Sequence, residues 1–335
     1  MSDKLFLKEL YASILQQNNP MQEVKRHCYS GLTDEQNNML AKRDIQVYEG
    51  KVRQCLFHGD EVDILHTDRL SAFDRFIGDV PYKGNILATI ASYWFEKINE
   101  NLPTHFLKQA HPRVIKAKRL EPIKAEVIVR GYLAGSMMRS YEKGERNFCG
   151  AILPEGLKNY GKLAKPIITP TSKAEAFEHD ENRTPEQLIE EGVCSREEWE
   201  KISKLALDIF ALGQKIYAEK GWILVDTKYE FGRDKEGNIY IIDEVHTPDS
   251  SRLWVEKTYD EMLAANKPPV MLDKEVVRRE LIEKGFQGEG PVPEISAESI
   301  IGLASVYLTV AEALTGKPMV ISETKEAVNL SDLNL

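Results

Sequence analysis

The run VDTKYEFG (Val225 to Gly232), the polar segment Arg233 to Asn238, and the run IYIIDEVHTPDSSRLW (Ile239 to Trp254) constrain this chain more than any other feature. Polar residues recur at every second position of the first run, which is the side-chain period of a strand. The joining segment, Arg233-Asp234-Lys235-Glu236-Gly237-Asn238, has the polar and glycine chemistry of a hairpin loop. Asp226, Lys228 and Glu230 then share one face of the first strand, and Asp243 lies on the face of the second opposite Ile242 and Glu244. Folding the hairpin brings Glu230 towards Asp243 with Lys228 beside them. A divalent cation bridging ATP phosphates would give such a group a purpose, because magnesium takes one or two protein carboxylates and completes its shell with phosphate oxygens and water. A surface ladder of cross-strand ion pairs fits the same spacing equally well.

The rest of the chain bounds the answer. Its 335 residues suffice for one large or two ordinary domains, and 42% hydrophobic with 29% charged residues is the balance of a globular protein. A net charge of −9 argues against nucleic-acid and anionic-membrane partners. Any phosphate must be gripped locally by a few placed Arg and Lys residues. Cys28, Cys55, Cys149 and Cys194 form no CxxC pair, which suits a reducing cytoplasm rather than a disulfide framework or a zinc site. The first residues are too charged for a signal peptide, and Ile300 to Val310 is expected as a buried helix, too short for a bilayer and stopped by Gly316 and Pro318.

Along the chain, residues 1–44 are expected as a helical extension, followed by strands from Gln46 and a helix over 85–99. KAEVIVR (Lys124 to Arg130) is a further strand. Leu153 to Thr184 is rich in Pro, Gly and Lys and is expected as a long loop. Capping boxes at Thr184/Gln187 and Ser195/Glu198 start two helices. Hairpins of strands with helices between them make the class α+β with mainly antiparallel sheets and flanking helices. The absence of GxxxxGK[ST], and of GxGxxG after a strand, closes the P-loop and Rossmann routes to nucleotide binding.

Several smaller groups add chemistry. In Glu49-Gly50-Lys51-Val52-Arg53 a glycine admits a ligand to the backbone while Lys51 and Arg53 project from one face; an ordinary basic edge strand is the simpler account. In TDRLSAFD, Asp74 could bind a substrate hydroxyl or amine, whereas Asp68 and Ser71 could simply close turns. Arg130-Gly131-Tyr132-Leu133-Ala134-Gly135-Ser136 delivers a guanidinium, loosens the backbone and opens a helix, which makes a phosphate site from a helix N-terminus, a hydroxyl and an arginine. The stretch Thr171 to Asn182 holds Ser172, Lys173, His179 and Asp180 in a polar loop that could equally be solvated surface. Arg252, just after the acidic strand, could reach an anion there, while Trp254 belongs to the core.

GKVR, TDRLSAFD, EVIVRGYLAGS, TPTSKAEAFEHDEN, VDTKYEFG and IDEVHTPDSSRLW, in that order between about Tyr48 and Pro318, resemble the SAICAR synthetase (phosphoribosylaminoimidazole-succinocarboxamide synthase) family. Gln54 departs from the Asp that often follows GKVR in that family. The resemblance implies an ATP-grasp-like, two-lobed fold: a helical extension over 1–44, an ATP-covering lobe over 45–123, a lobe with the metal and substrate sites over 124–320, and a polar tail over 321–335. It also implies ATP-dependent condensation of CAIR (carboxyaminoimidazole ribonucleotide) with L-aspartate to SAICAR, ADP and phosphate, with Mg2+. Glu230 and Asp243 would hold the metal, and Lys51, Arg53 and Lys228 would bind ATP. Arg130, Ser136 and Arg252 would grip the 5′-phosphate, and Asp226 would take the ribose hydroxyls. Asp74, Ser172, Lys173, His179 and Asp180 would line the substrate pocket. The expected partners are these small molecules, not nucleic acid or membrane, for a cytoplasmic monomer or homodimer. A small-molecule kinase would use the same metal and lysine groups, and a non-catalytic nucleotide-binding regulator stands third.

Overall fold

The computed structural model describes residues 5–73, 75–173, 181–321, 327–333 and 335. The chain opens with β1 (Leu5–Phe6), α1 (Leu7–Leu15), α2 (Pro20–Arg26) and α3 (Asp34–Ala41). The strands β2 (Gln46–Glu49), β3 (Arg53–His58), β4 (Glu61–His66), β5 (Arg69–Ala72) and β6 (Arg75–Asp79) lead to α4 (Lys83–Asn99). Next come β7 (Phe106–His111), β8 (Val114–Lys118), β9 (Glu121–Tyr132), α5 (Gly135–Glu142), β10 (Asn147–Phe148), β11 (Ala151–Ile152) and β12 (Lys162–Ser172). The helices α6 (Pro185–Glu190) and α7 (Arg196–Ala218) precede β13 (Trp222–Arg233), β14 (Ile239–Ile242) and β15 (Ser251–Val255). The chain finishes with α8 (Tyr259–Ala264), α9 (Glu275–Glu283), α10 (Ala297–Thr315) and β16 (Val320–Ile321).

Two compact units result. Unit 1 comprises residues 1–96, 105–119 and 273–335, and unit 2 comprises 97–104 and 120–272. From the sequence, 124–320 is expected as one lobe, but α9 and α10 belong to unit 1. The reason is apolar packing: α10 buries Ile300, Leu303, Tyr307, Val310 and Leu314 and lies against α1, α2 and α9. That helix has 19 residues, so it is long and apolar enough to cross a bilayer, contrary to the expectation from Ile300 to Val310 alone; more than half of it is buried inside the protein. Its end is as expected, with Gly316 in the left-handed conformation at φ 69°. The stretch after Val320 is also less polar in effect than in composition, because Val328, Leu330 and Leu333 complete an apolar cluster with Leu40, Leu56, Leu65 and Val114.

Unit 1 is built on the antiparallel sheet β2-β3-β4-β8-β7. Asp68 of TDRLSAFD is fully buried there. It accepts hydrogen bonds from the amides of Tyr29 (2.7 Å) and Gly84 (2.8 Å) and pairs with Arg113. A buried carboxylate satisfied in this way holds chain segments together, as the turn account expects.

Unit 2 is built on the sheet β12-β9-β13-β14. Beside β14, β15 also pairs with β13 on the edge opposite β9, so β14 and β15 lie end to end. The expected strand from Ile239 to Trp254 is therefore two strands, and the loop 243–250 leaves the sheet between them. The expected loop from Leu153 to Thr184 is also corrected: it contains the 11-residue strand β12. Its prolines disguise it. Pro166 falls in a register break between Lys162 and Ile167, and β12 is an edge strand, where a missing N–H is tolerated. Both expected capping boxes are present, Thr184 with Gln187 and Ser195 with Glu198. The face of α7 carrying Trp199, Ile202, Ile209, Phe210 and Tyr217 is buried, and α7 packs on β13. At Gly213 this packing is so close that a Cβ would stand 2.3 Å from the His246 ring.

Candidate active site

One face of β13 organises the chemistry of unit 2. Asp226, Lys228 and Glu230 follow at strand spacing, so about 13 Å separates the first Cα from the last. A different cluster gathers at each end.

At Asp226 the neighbours across the sheet are Arg130 on β9 and Arg252 on β15. Asp226 is buried and its Oδ2 accepts from Arg252 at 2.6 Å and Arg130 at 3.5 Å. Arg130 also donates from Nε to the Thr169 hydroxyl at 2.8 Å. Burial pulls the Arg130 guanidinium below its usual value and Asp226 works against that. Two like-charged guanidiniums side by side would repel without the carboxylate between them. Asp226 thus anchors an arginine pair through its Oδ2. Beyond the pair lies the start of α5. Gly135 has φ +59°, and a Cβ there would meet three guanidinium atoms of Arg252 at 2.4–2.7 Å. The glycine lets the helix N-terminus come against Arg252. Ser136 is exposed in the first turn of α5, and the N-cap position belongs to Ala134 with no side-chain cap.

At Glu230 the neighbour on β9 is Glu126, so two buried carboxylates face each other directly. Like charges in this position destabilise a sheet unless something neutralises them. Lys228 does so, with its Nζ 2.5 Å from Glu126 and 3.4 Å from Glu230. Lys173, just past the end of β12, also pairs with Glu230. Burial alone would lower both ammonium groups; Glu230 and Asp243 outweigh it on each, with Glu126 added on Lys228, and both end up raised. Asp243 is the residue after Ile242, the partner of Glu230, and stands at φ +70° where β14 gives way to the loop. It is therefore at the loop mouth rather than on the strand. Tyr229 and Tyr217 fix that loop from beneath: the Tyr229 hydroxyl bonds the His246 ring and the Tyr217 hydroxyl donates to the His246 carbonyl, each at 2.5 Å.

The structure thus groups Arg130, Asp226 and Arg252 at one end and Lys173, Lys228, Glu230 and Asp243 at the other. Lys173 falls with the carboxylates, not with the arginines. The Ser172 hydroxyl accepts from the Glu181 amide at 3.1 Å. Lys51 and Arg53 belong to unit 1, on and beside the β2–β3 turn. Asp74, His179 and Asp180 lie outside the described residues. Glu126 was not legible in the sequence; a lone Glu in KAEVIVR signals only strand alternation, and its partner is 104 positions away.

Two carboxylates acting on one pair of lysines are a donor set that magnesium can use. Among the described residues no group of three His, Cys, Asp or Glu side chains forms a protein cage. Magnesium does not need one when phosphates supply oxygens. A clamp of two arginines and a helix N-terminus at one end of a strand, with ammonium and carboxylate groups at the other, is the construction of an enzyme acting on phosphorylated substrates. A family model, SAICAR synthetase, matches residues 46–293. The phosphoribosylaminoimidazole-succinocarboxamide synthase of Legionella pneumophila (strain Paris) is 40% identical over 287 residues, covering 84% of this chain and 91% of the relative. That of Bacteroides thetaiotaomicron is 39% identical over 293 residues, covering 86% and 93%. Among solved structures, SAICAR synthase from Saccharomyces cerevisiae complexed with SAICAR aligns with a TM-score of 0.72 at 28% identity, covering 82% of this chain and 96% of that one. A type-2 SAICAR synthetase in complex with ADP aligns with a TM-score of 0.64 at 28% identity, covering 82% and 99%. This chain belongs to the SAICAR synthetase family, and its fold is the α+β, ATP-grasp-like fold of that family.

Proposed function

We propose that this chain joins the carboxylate of CAIR to the amine of L-aspartate, driven by ATP, to give SAICAR, ADP and phosphate in purine biosynthesis. The observation that carries this assignment is the single face of β13, with an arginine clamp at Asp226 and a lysine–carboxylate group at Glu230. A ribonucleotide laid along that face has its 5′-phosphate at one end and its reacting carboxylate near the other. Arg130, Arg252 and Ser136 at the start of α5 hold the 5′-phosphate, and Asp226 keeps both guanidiniums aimed. Lys228 and Lys173 take phosphates on unit 2, and the turn of Lys51 and Arg53 is assigned to ATP phosphates in its own right on unit 1. Glu230 and Asp243 would hold Mg2+, which neutralises phosphate charge when bound.

A carboxylate is a poor acylating agent. Transfer of the γ-phosphoryl group to the CAIR carboxylate makes an acyl phosphate, and attack by the aspartate amine expels phosphate and forms the amide. The lysines stabilise charge on the transferred group, which is where such sites gain most of their rate. Bound ATP phosphates would draw Lys228 and Lys173 away from Glu230 and leave it open to the cation it would share with Asp243. The same assignment makes the protein a cytoplasmic monomer or homodimer whose partners are small molecules, without nucleic acid or membrane.

The test is ADP release by purified protein with CAIR, with and without L-aspartate, alongside detection of SAICAR. Aspartate-dependent SAICAR formation with stoichiometric ADP supports the assignment. A phosphorylated product formed without any amino acid would replace it with a kinase.

A further inference from the structure

We propose that Gln54 is a positioning residue for nucleotide binding, tying the N-terminal helical segment to the turn that carries Lys51 and Arg53. This rests on the assignment of that turn to the ATP phosphates. The turn, Gly50 to Val52, joins β2 to β3 and is closed by Gly50 N–H donating to the Arg53 carbonyl at 2.8 Å. On its far side Thr67 donates twice to the Val52 carbonyl, from its hydroxyl at 2.7 Å and its amide at 3.2 Å. Lys51 at the tip is exposed.

Behind the turn, Gln54 is 3% exposed and faces Glu49 across the hairpin. Its Oε1 accepts from the Leu32 amide at 2.8 Å and its Nε2 donates to Glu49 Oε2 at 2.5 Å. Glu49 Oε1 receives the Arg69 guanidinium. Arg69 in turn donates from Nε to the Thr67 hydroxyl at 3.0 Å, the group that holds Val52. A continuous chain of polar contacts therefore runs from Leu32, between α2 and α3, around both sides of the turn.

An amide suits this position. One end must accept from an N–H and the other must donate to a carboxylate. A glutamate would set carboxylate against carboxylate at Glu49, and leucine would fill the volume but strand both partners. The segment reaching Gln54 is shaped for it. Gly31 has φ +134°, and a Cβ there would stand 2.7 Å from Gln54 Oε1. Downstream, α3 is fixed by its own capping box of Thr33 and Gln36, and Gln36 Nε2 donates to the Val328 carbonyl at 2.7 Å. The anchor that Gln54 holds is thus itself braced within unit 1.

The experiment measures ADP affinity by calorimetry and steady-state kinetics for Gln54→Leu, Gln54→Glu, and the exchanged pair Gln54→Glu with Glu49→Gln. Each single variant is expected to weaken ADP and raise the KM for ATP about tenfold, with kcat within about twofold and the KM for aspartate unchanged. In the exchanged pair a carboxylate at 54 accepts from both Leu32 and the new amide at 49, so ADP affinity is expected to recover to within about threefold of the parent. Unchanged ADP affinity in the folded single variants would overturn the proposal, as would failure of the exchanged pair to recover. If Gln54→Leu does not fold, the comparison of Gln54→Glu with the exchanged pair decides alone. Because ADP binding is read without turnover, a parent protein that binds ADP but makes no SAICAR would reject the proposed reaction and leave this test intact.

Discussion

Replacing Gly135 by alanine tests how the arginine clamp is made. The residue lies at φ +59°, where an L side chain costs ~1–2 kcal/mol. The new methyl would also stand 2.4 Å from one Arg252 nitrogen, so the guanidinium must move. Moving it breaks the 2.6 Å bond to Asp226 and withdraws one charge-assisted contact from the bound phosphate. Such a contact is worth ~1.5–3 kcal/mol, which converts at 1.4 kcal/mol per decade to a rise of about 10- to 100-fold in the KM for CAIR. The KM for ATP should stay within about twofold, since Lys228 and Glu230 lie two and four residues along β13 from Asp226, the carboxylate that loses its bond. The assay is initial-rate ADP release against CAIR concentration, with a urea melt of the same sample. Gly156→Ala is the control: it also has positive φ, at +78°, but nothing lies within 4 Å of the new methyl. It should lose stability alone. A Gly135→Ala enzyme with the parental KM for CAIR would refute the placement of Arg252 at the substrate phosphate.

Asp243→Asn should abolish turnover while leaving CAIR affinity within several-fold, because the two clusters use different groups; calorimetry with CAIR checks it, and an equal collapse of binding would count against the division. Tyr229→Phe removes the hydroxyl that meets the buried His246 ring, and leaving that ring unsatisfied should cost about 1–3 kcal/mol in a denaturant melt. Burial pushes both His66 and His246 down to about 3. The unfolded chain binds their protons near 6.5, so stability is complete above that pH and falls as pH drops towards 3, at about 1.4 kcal/mol per pH unit for each ring in its own unit. Melts between pH 7 and 5 should show this slope, and a flat profile would mean that neither ring is held neutral.

The strand pattern of β13 was readable because alternation survives on a strand whose two faces differ, and the helix starts at Thr184 and Ser195 were readable because a capping box is local. What escaped depended on distant partners. Lys173 sits where polarity alone suggested a solvated loop, yet its ammonium is held by Glu230, 57 residues on. Glu126 gives no signal until β9 and β13 are paired. Asp243 is expected on the second strand, yet it has a left-handed backbone and lies past the end of β14, in the break before β15, which no periodicity records. The strand β12 was hidden because edge position, not propensity, makes its prolines tolerable.

The split of unit 1 along the chain has a consequence for biosynthesis. Unit 2 is almost continuous, 120–272 with one short segment before it, so it can fold as soon as that stretch leaves the ribosome. Unit 1 must wait, because α1 packs against α10, which is translated nearly 300 residues later. Until then Leu7, Leu10 and Ile14 have no apolar cover from that helix. A stalled or truncated nascent chain would therefore present a sticky amino-terminal helix to chaperones while its central region is already native.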